Sequence, residues 1–268
     1  MTLNPAIAAA ERTDTARHLI TQAETDLVDL VVVSALELCV LDGPRQPVFD
    51  ERVARAWLQV TDRRRRKVTE EVTAGLVRRG LLINARPEYR AEHDGSAYSL
   101  KPELGLMLAA RSRPAFVVVA KGERDDLRPL TLFALGDQAD PVRAIVAEVP
   151  TGLPPDRDAD YPDTRKLGPL GWIYRSVLAS PANAADLLAR WTITQPVQPA
   201  AAAPVRYLVS AYRPDREKPI EHHLGVCGDG SRAFVDGPGR GNGNLTRAEH
   251  NLDGLRALML NLLSEVSP

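Results

Sequence analysis

Apolar side chains recur along the first hundred residues at the spacing of amphipathic helices. These stripes predict three helices, over residues 26–42, 50–60 and 62–79. The side chains expected to face the core are Leu27, Leu30, Val31, Leu38 and Cys39 in the first helix, Val53, Ala54, Trp57 and Leu58 in the second, and Val68, Val72, Gly75 and Leu76 in the third. Gly80 suits the position after the third helix, because the left-handed backbone conformation common there costs glycine nothing.

A hairpin and a further helix are predicted next. Two short apolar runs at 81–84 and 97–100 flank a polar loop, and Pro102 opens a helix over 103–110. Three helices, a two-stranded hairpin and a trailing helix are the element order of a winged helix-turn-helix. We therefore expect a winged-helix-like helical module over residues 23–112, after a flexible lead-in at 1–22.

Beyond Pro114 the pattern becomes that of strands rich in valine, leucine and isoleucine. It predicts strands at 116–121, 130–135 and 142–149, and then helices at 169–178 and 180–191, the second capped by Ser180. After a proline- and alanine-rich linker at 194–204, strands are expected at 206–212, 220–227 and 232–235, and a helix at 246–264. The order of three strands and then helix occurs twice, in halves spanning 113–193 and 205–268. This indicates an α+β protein with an internal duplication and one mostly antiparallel sheet, with helices on one side.

Composition and charge narrow the class of protein. The net charge is −1, whereas a protein that lives on nucleic acid or anionic membranes is usually basic overall. The two cysteines, Cys39 and Cys227, lie in apolar runs and form no CxxC pair, which is typical of a reducing compartment. The most apolar stretch, residues 27–41, is short and contains Asp29 and Glu37. We expect a cytoplasmic protein without membrane insertion.

Candidate catalytic and metal-binding patterns are weak in this sequence. His222 and His223 are neighbours on a predicted strand, so their imidazoles point to opposite faces. The glycine-rich loop at 237–244 lacks the ending of a P-loop and fails the GxGxxG spacing. The aspartate-rich loop around Asp156 to Asp163 lacks the glycine and glutamate of an EF-hand. We expect no enzymatic activity, no cofactor and no metal.

The sharpest charged feature opens the third predicted helix. Its five successive cations are Arg63, Arg64, Arg65, Arg66 and Lys67. In a winged helix this element is the recognition helix, whose amino end meets DNA phosphates and base edges. Further cations would extend the footprint, namely Arg78, Arg79 and the loop residues Arg86 and Arg90. The alternative is a solvated helix face that Glu70 and Glu71 partly neutralise.

A family resemblance emerges from residues 70–265. Residues 74–82 (AGLVRRGLL), 100–104 (LKPEL) and 107–114 (MLAARSRP), followed by the strand 116–119 (FVVV), resemble EspG-type ESX (type VII) secretion-associated proteins. Residues 207–210 (YLVS), 224–226 (LGV) and 233–235 (AFV), followed by a long final helix, are similar as well. The chain departs from that family in its arginine run, and in helices predicted at 26–60 where the family has a strand. The resemblance implies a non-enzymatic cytosolic chaperone with two pseudo-symmetric halves, whose usual clients are PE–PPE pairs.

Two hypotheses follow for function. The first is an EspG-like chaperone or adaptor that holds a secretion substrate or another protein through its sheet and last helix. The candidate partner-binding residues are Tyr207, Val209, Leu258, Met259 and Leu260, because Leu258 and Leu260 lie off the main apolar stripe of that helix. The second is a winged-helix transcriptional regulator that binds DNA through residues 63–67 and uses its C-terminal half to sense a ligand or partner. Solvent exposure of residues 63–67 beside a free wing would favour the regulator, and packing of this run into the body of the protein would favour the chaperone.

Overall fold

The computed structural model describes residues 7, 10, 12–42, 50–86, 90, 97–122, 128–136, 144–151, 167–194, 205–226, 233–237 and 246–267. Three segments discussed above lie outside these residues. They are the aspartate-rich loop, the linker at 194–204 beyond its first residue, and the glycine-rich loop beyond Gly237. The chain divides into two compact units. Unit 1 comprises residues 1–113 and 148–178, and unit 2 comprises residues 114–147 and 179–268.

Unit 1 is mainly helical. Its elements are α1 (Asp14–Ala23), β1 (Val28–Ser34), α2 (Ala35–Leu41), α3 (Glu51–Leu58), α4 (Asp62–Arg78), β2 (Leu82–Asn84), β3 (Tyr98–Leu100), α5 (Pro102–Ser112) and, later in the chain, a 3-10 turn (Gly168–Gly171) and β7 (Ile173–Ala179). Strand β6 (Ala144–Thr151) crosses the boundary between the units after Ala147. The predicted hairpin is confirmed, since β2 and β3 pair antiparallel with Ile83 opposite Ser99.

Unit 2 holds most of the strands. Its elements are β4 (Val117–Gly122), β5 (Leu130–Leu135), α6 (Pro181–Thr194), β8 (Val205–Tyr212), β9 (Ile220–Val226), β10 (Ala233–Gly237), β11 (Thr246–His250) and α7 (Leu252–Val266). The larger sheet contains nine described strands in the order β1-β7-β6-β5-β4-β8-β9-β10-β11 and is mostly antiparallel. The predicted α+β class is thereby confirmed. Among the described elements, each repeat has four strands before its helix, β4 to β7 before α6 and β8 to β11 before α7.

Two segments predicted as helices are strands. Residues 28–34 form β1, so that only residues 35–41 of the predicted first helix are helical, and residues 173–179 form β7 in place of the helix expected at 169–178. The two strands are each other's partners, with Val32 opposite Arg175 and Val33 opposite Tyr174. Their apolar residues fit a helical stripe by coincidence, whereas the β-branched run of β1 favours a strand once a partner is present.

The predicted last helix also begins later than expected. Residues 246–250 form β11, which pairs with β10, and the helix starts only at Leu252. Its N-cap is Asn251, whose side chain accepts a hydrogen bond from the backbone N–H of Gly254 at 2.9 Å. Another prediction was wrong in α3, where Leu58 is 66% exposed while Val53 and Trp57 are buried.

Several helix boundaries follow the predicted local chemistry. Gly80 has φ +67° directly after α4, the left-handed conformation expected of it. The Ser180 hydroxyl accepts a hydrogen bond from the backbone N–H of Asn183 at 3.3 Å, and Pro181 is the first residue of α6. Pro102 likewise opens α5. These boundaries depend on neighbours in sequence, which is why local chemistry identifies them.

The junction between β1 and α2 fixes α4 as well. The Ser34 backbone N–H donates to Glu37 Oε2 at 2.7 Å, and the Glu37 N–H donates to Ser34 Oγ at 3.1 Å, which completes a capping box. Arg79, next after α4, donates to Glu37 Oε1 at 2.5 Å and also to the carbonyl of Val32. Burial raises the pKa of Glu37, and Arg79 and Ser34 oppose that rise. One buried carboxylate therefore joins the strand, its following helix and the end of α4.

We predict that Glu37→Ala lowers the free energy of unfolding by about 3 kcal/mol, because it removes the cap of α2 and leaves Arg79 without its carboxylate. Urea denaturation measures the change. The control is Glu51→Ala, which removes an exposed ion pair to Arg55 with an N···O distance of 2.8 Å and should have a much smaller effect. Equal losses in the two variants would contradict the structural role of Glu37.

Candidate functional site

Both described helices of unit 2 pack on one face of its strands. Trp191 of α6 makes an edge-to-face contact with Tyr207 of β8, with ring centroids 5.7 Å apart. His222 of β9, which lies beside Val209 on the same face, is close enough to Glu265 of α7 to feel its charge. Burial lowers the pKa of His222, the neighbouring His223 reinforces the decrease, and Glu265 opposes it. The neutral, half-buried His222 is thus part of the packing under α7.

Three of the candidate partner-binding residues lie inside this packing. Tyr207 is 2% exposed, Val209 is 0% exposed and Met259 of α7 is 0% exposed. They belong to the interior of unit 2, between its strands and helices. In this structure a partner can contact only candidates that remain accessible, which are Leu258 and Leu260.

Leu260 is the most exposed of the candidate partner-binding side chains on α7. It is 37% exposed, whereas Leu255, Met259 and Leu262 on the buried stripe are at most 1% exposed. One turn earlier, Arg256 Nε lies 3.8 Å from Asp186 Oδ1 of α6. Residues four apart share a helix face, so Leu260 lies beside the seam between α6 and α7. Leu258, which is half-buried, flanks the buried stripe on its other side.

The opposite face of β8 to β10 carries further apolar side chains. Residues alternate along a strand, so Tyr212 and Leu208 point away from the helices, and Phe234 does the same on β10. Tyr212 is 44% exposed, and Leu208 and Phe234 are half-buried. The sequence prediction omitted these residues, although the two-residue alternation of β8 was sufficient to separate them from Tyr207 and Val209.

The basic run occupies the amino end of α4 in unit 1. Arg63, Arg64, Arg66 and Lys67 are exposed. Arg65 is half-buried, because its guanidinium stacks 5.3 Å from the ring centre of Trp57 and donates to the Trp57 carbonyl at 3.3 Å. The run therefore divides into four solvent-facing cations, as the regulator hypothesis expects, and one that fastens α4 to α3.

A second charged group is buried in unit 1. Arg111 donates through Nε to Asp42 at 2.8 Å and through Nη1 to both oxygens of Glu148 at 2.5 and 2.6 Å. Burial alone would lower the pKa of Arg111, but the two carboxylates raise it. Burial raises the pKa of Glu148, against the attraction of Arg111 and with the repulsion of Asp42. The group joins α5, the end of α2 and β6, which is a structural role.

Reactive side chains are scarce in the described part of the chain. Burial raises the pKa of Cys39 to about 12, so its thiol is inert at neutral pH. No group of three histidine, cysteine, aspartate or glutamate residues there is arranged to hold a metal ion. What the described surface offers is apolar contact in unit 2 and positive charge in unit 1.

Within the same residues, none of the helices combines the length and the apolar character that crossing a membrane requires. Comparison of the chain with protein-family models, curated proteins and solved structures yields no significant match. Functional inference therefore starts from the chain's own residues.

We predict that Cys39 resists thiol reagents in the native protein. In a Cys227→Ser background, reaction with Ellman's reagent at neutral pH should be slow and should accelerate on addition of urea, because the buried thiol ionises only after unfolding. The matched control is a Leu58→Cys variant that also carries Cys39→Ser and Cys227→Ser, since position 58 is 66% exposed. It should react at once. Rapid native reaction of Cys39 would contradict its burial.

We also predict a pH-dependent effect of Glu148→Gln. A carboxyl whose folded pKa is raised contributes stability that is complete below its unfolded pKa, near 4.5, and is lost as pH rises through the folded value. The glutamine does not titrate. As pH rises from about 4.5, the free energy of unfolding of the wild type should therefore fall relative to that of the variant. The total fall should be about 1.4 kcal/mol for each unit by which folding raises the pKa of Glu148. Urea denaturation across pH measures the difference, and a pH-independent difference would contradict the prediction.

Proposed function

We propose that this protein is a cytoplasmic, non-enzymatic chaperone or adaptor of the EspG type. It holds a helical segment of a protein partner against its C-terminal helices, and the partner is a type VII secretion substrate of the PE–PPE kind. The observation that carries the proposal is Leu260, an exposed apolar side chain beside the seam of two packed helices.

Strand β1 supports the resemblance behind this proposal. The sequence predicted helices at 26–60, where the EspG family has a strand, and residues 28–34 are a strand. The segment of that departure thus contains a strand, while residues 35–41 and 51–58 within it are helical. The order of four strands followed by a helix also occurs twice along the chain, as expected of two pseudo-symmetric halves.

The seam of α6 and α7 offers the contacts that a helix needs. An amphipathic helix binds by laying apolar residues into a groove between helices, with a few large anchors supplying most of the affinity. Leu260 supplies such an anchor, and the ion pair between Arg256 and Asp186 borders it with charge. An apolar centre with a polar rim is the usual anatomy of a protein interface.

This arrangement explains how a chaperone of this kind acts without chemistry. A secretion substrate with an apolar helical tip aggregates when the tip is exposed to water, since apolar surface is driven together. Covering the tip with Leu260 and its surroundings removes that surface until secretion. Release then requires only that a second partner compete for the same helix.

We predict that Leu260→Asp abolishes partner binding while leaving the fold intact. A carboxylate at the centre of an apolar contact should weaken binding by at least about tenfold, because it is desolvated without a partner. Since Leu260 is 37% exposed, the melting temperature should change little. Binding is measured with a purified PE–PPE pair by calorimetry, and client solubility is followed on co-expression.

Two variants on the same helix control this experiment. Asn261→Asp adds the same charge one residue away at an exposed position and should retain the partner. Leu262→Asp, at a side chain only 1% exposed, should unfold the protein. The proposal is contradicted if the wild type neither binds nor solubilises such a pair, or if Leu260→Asp unfolds the chain as Leu262→Asp does.

A further inference from the structure

We propose that unit 1 binds duplex DNA through the outer face of α4 and the arginines that follow β2. This surface is distinct from Leu260 and does not depend on the proposed chaperone function. Its residues are Arg63, Arg64, Arg66 and Lys67 on α4, together with Arg86 and Arg90 beyond β2.

The connection between α3 and α4 has the length found in a helix-turn-helix. Residues 59–61 connect the two helices, and a turn of three or four residues is characteristic of this motif. The second helix is the longer, with 17 residues against 8. In DNA-binding members the second helix is inserted into the major groove, and its amino-terminal residues meet the DNA. The cations of α4 occupy those amino-terminal positions.

The inner face of α4 is fixed by packing. Val72 and Leu76 are 4% and 0% exposed, and Arg65 stacks on Trp57. Arg79 secures the other end of the helix to Glu37. A recognition helix must be held rigidly so that its outer side chains reach the groove in register. The buried contacts of α4 supply this rigidity and leave its opposite face to solvent.

Three of the outer cations are uncompensated. In the described part of the chain, Arg63, Arg64 and Arg66 form no ion pair, and Lys67 has a loose one, with Nζ 3.7 Å from Glu71 Oε1. Cations in the first turn of a helix are repelled by its positive end, so Arg63 and Arg64 reduce stability where they are. Bound DNA phosphate would offset this repulsion, because the cations and the positive helix end both attract it.

Two arginines lie beyond strand β2 of the hairpin that follows α4. Arg79 and Gly80 separate α4 from Leu81 and β2, and the Lys101 N–H donates to the Leu81 carbonyl at 3.0 Å. Arg86 and Arg90, which follow β2, are exposed. In winged modules the hairpin after the recognition helix contacts the DNA backbone. Its arginines add phosphate contacts to those of α4.

Other polyanions fit this surface less well. Membrane-surface helices need an apolar face for the lipid, whereas the apolar face of α4 is buried in unit 1. Single-stranded nucleic acid is held by stacking on aromatic side chains, and α4 contains none. A polar, positively charged outer face on a rigid helix matches the phosphates and base edges of a duplex groove.

The test compares two variants of the full chain that lose equal charge. In the first, Arg63, Arg64, Arg66 and Lys67 become alanine, while Arg65 is kept because it packs on Trp57. In the second, the exposed unit 2 residues Lys121, Arg206, Arg216 and Lys218 become alanine. Binding to a short random-sequence DNA duplex is measured by fluorescence anisotropy between about 50 and 200 mM salt. Circular dichroism and melting temperature establish that both variants are folded.

The wild type should bind with affinity that falls steeply with salt, and the α4 variant should lose about 0.9 from the slope of log K against log salt for each phosphate contact removed. For four contacts, raising the salt across this range should weaken DNA binding by the variant on the order of a hundredfold less than binding by the wild type. The unit 2 variant should keep the wild-type slope. The proposal is overturned if both variants change the slope equally, if the wild type does not bind the duplex, or if single-stranded RNA or phosphatidylserine vesicles bind as tightly.

Discussion

The pairing of β1 with β7 is the constraint on which unit 1 depends. Asp29 of β1 and Arg175 of β7 are 146 residues apart in sequence, and their side chains meet at 2.5 and 2.7 Å. Because β1 runs directly into the capping box of α2, the strand also sets the direction of that helix. Glu37 within the box then binds Arg79 and holds the end of α4. A long-range strand pair thus positions, through one carboxylate, the helix that presents the basic side chains.

Unit 2 follows a simpler rule, in which strand alternation decides what is buried. Tyr207 and Val209 share the face that α6 and α7 cover, whereas Leu208 and Tyr212 share the other. The helix α7 adds a stripe from Leu255 to Val266 that fills the covered face. In the described part of unit 2 these side chains are already covered, so a partner must contact side chains outside the stripe. The candidates Tyr207, Val209 and Met259 are covered, whereas Leu260 is exposed and can contact a partner.

Local chemistry in the sequence predicted the hairpin, the left-handed Gly80, the cap at Ser180 and most strands, because each depends on residues a few positions apart. The errors at β1, β7 and β11 share a physical cause. Whether an apolar run such as Val31 to Val33 becomes a strand or a helix is decided by its pairing partner, which lies far away in sequence. At the site, the apolar arc of the last helix drew attention to Leu260, which is exposed, but the sequence alone did not distinguish covered from open faces.

The two surfaces share an energetic character. The buried charges of unit 1 are matched, as where Arg111 is held by Asp42 and Glu148. Leu260, like Leu27, Leu58, Ile83 and Tyr212, leaves apolar area in water, and Arg63 and Arg64 place positive charge at the positive end of a helix. Neither feature improves folding. Residues that lower the stability of the free protein are expected at binding surfaces, because contacts with the bound partner offset their cost. The two surfaces differ in the partner that would supply this compensation, which is an apolar helix for Leu260 and DNA phosphate for α4.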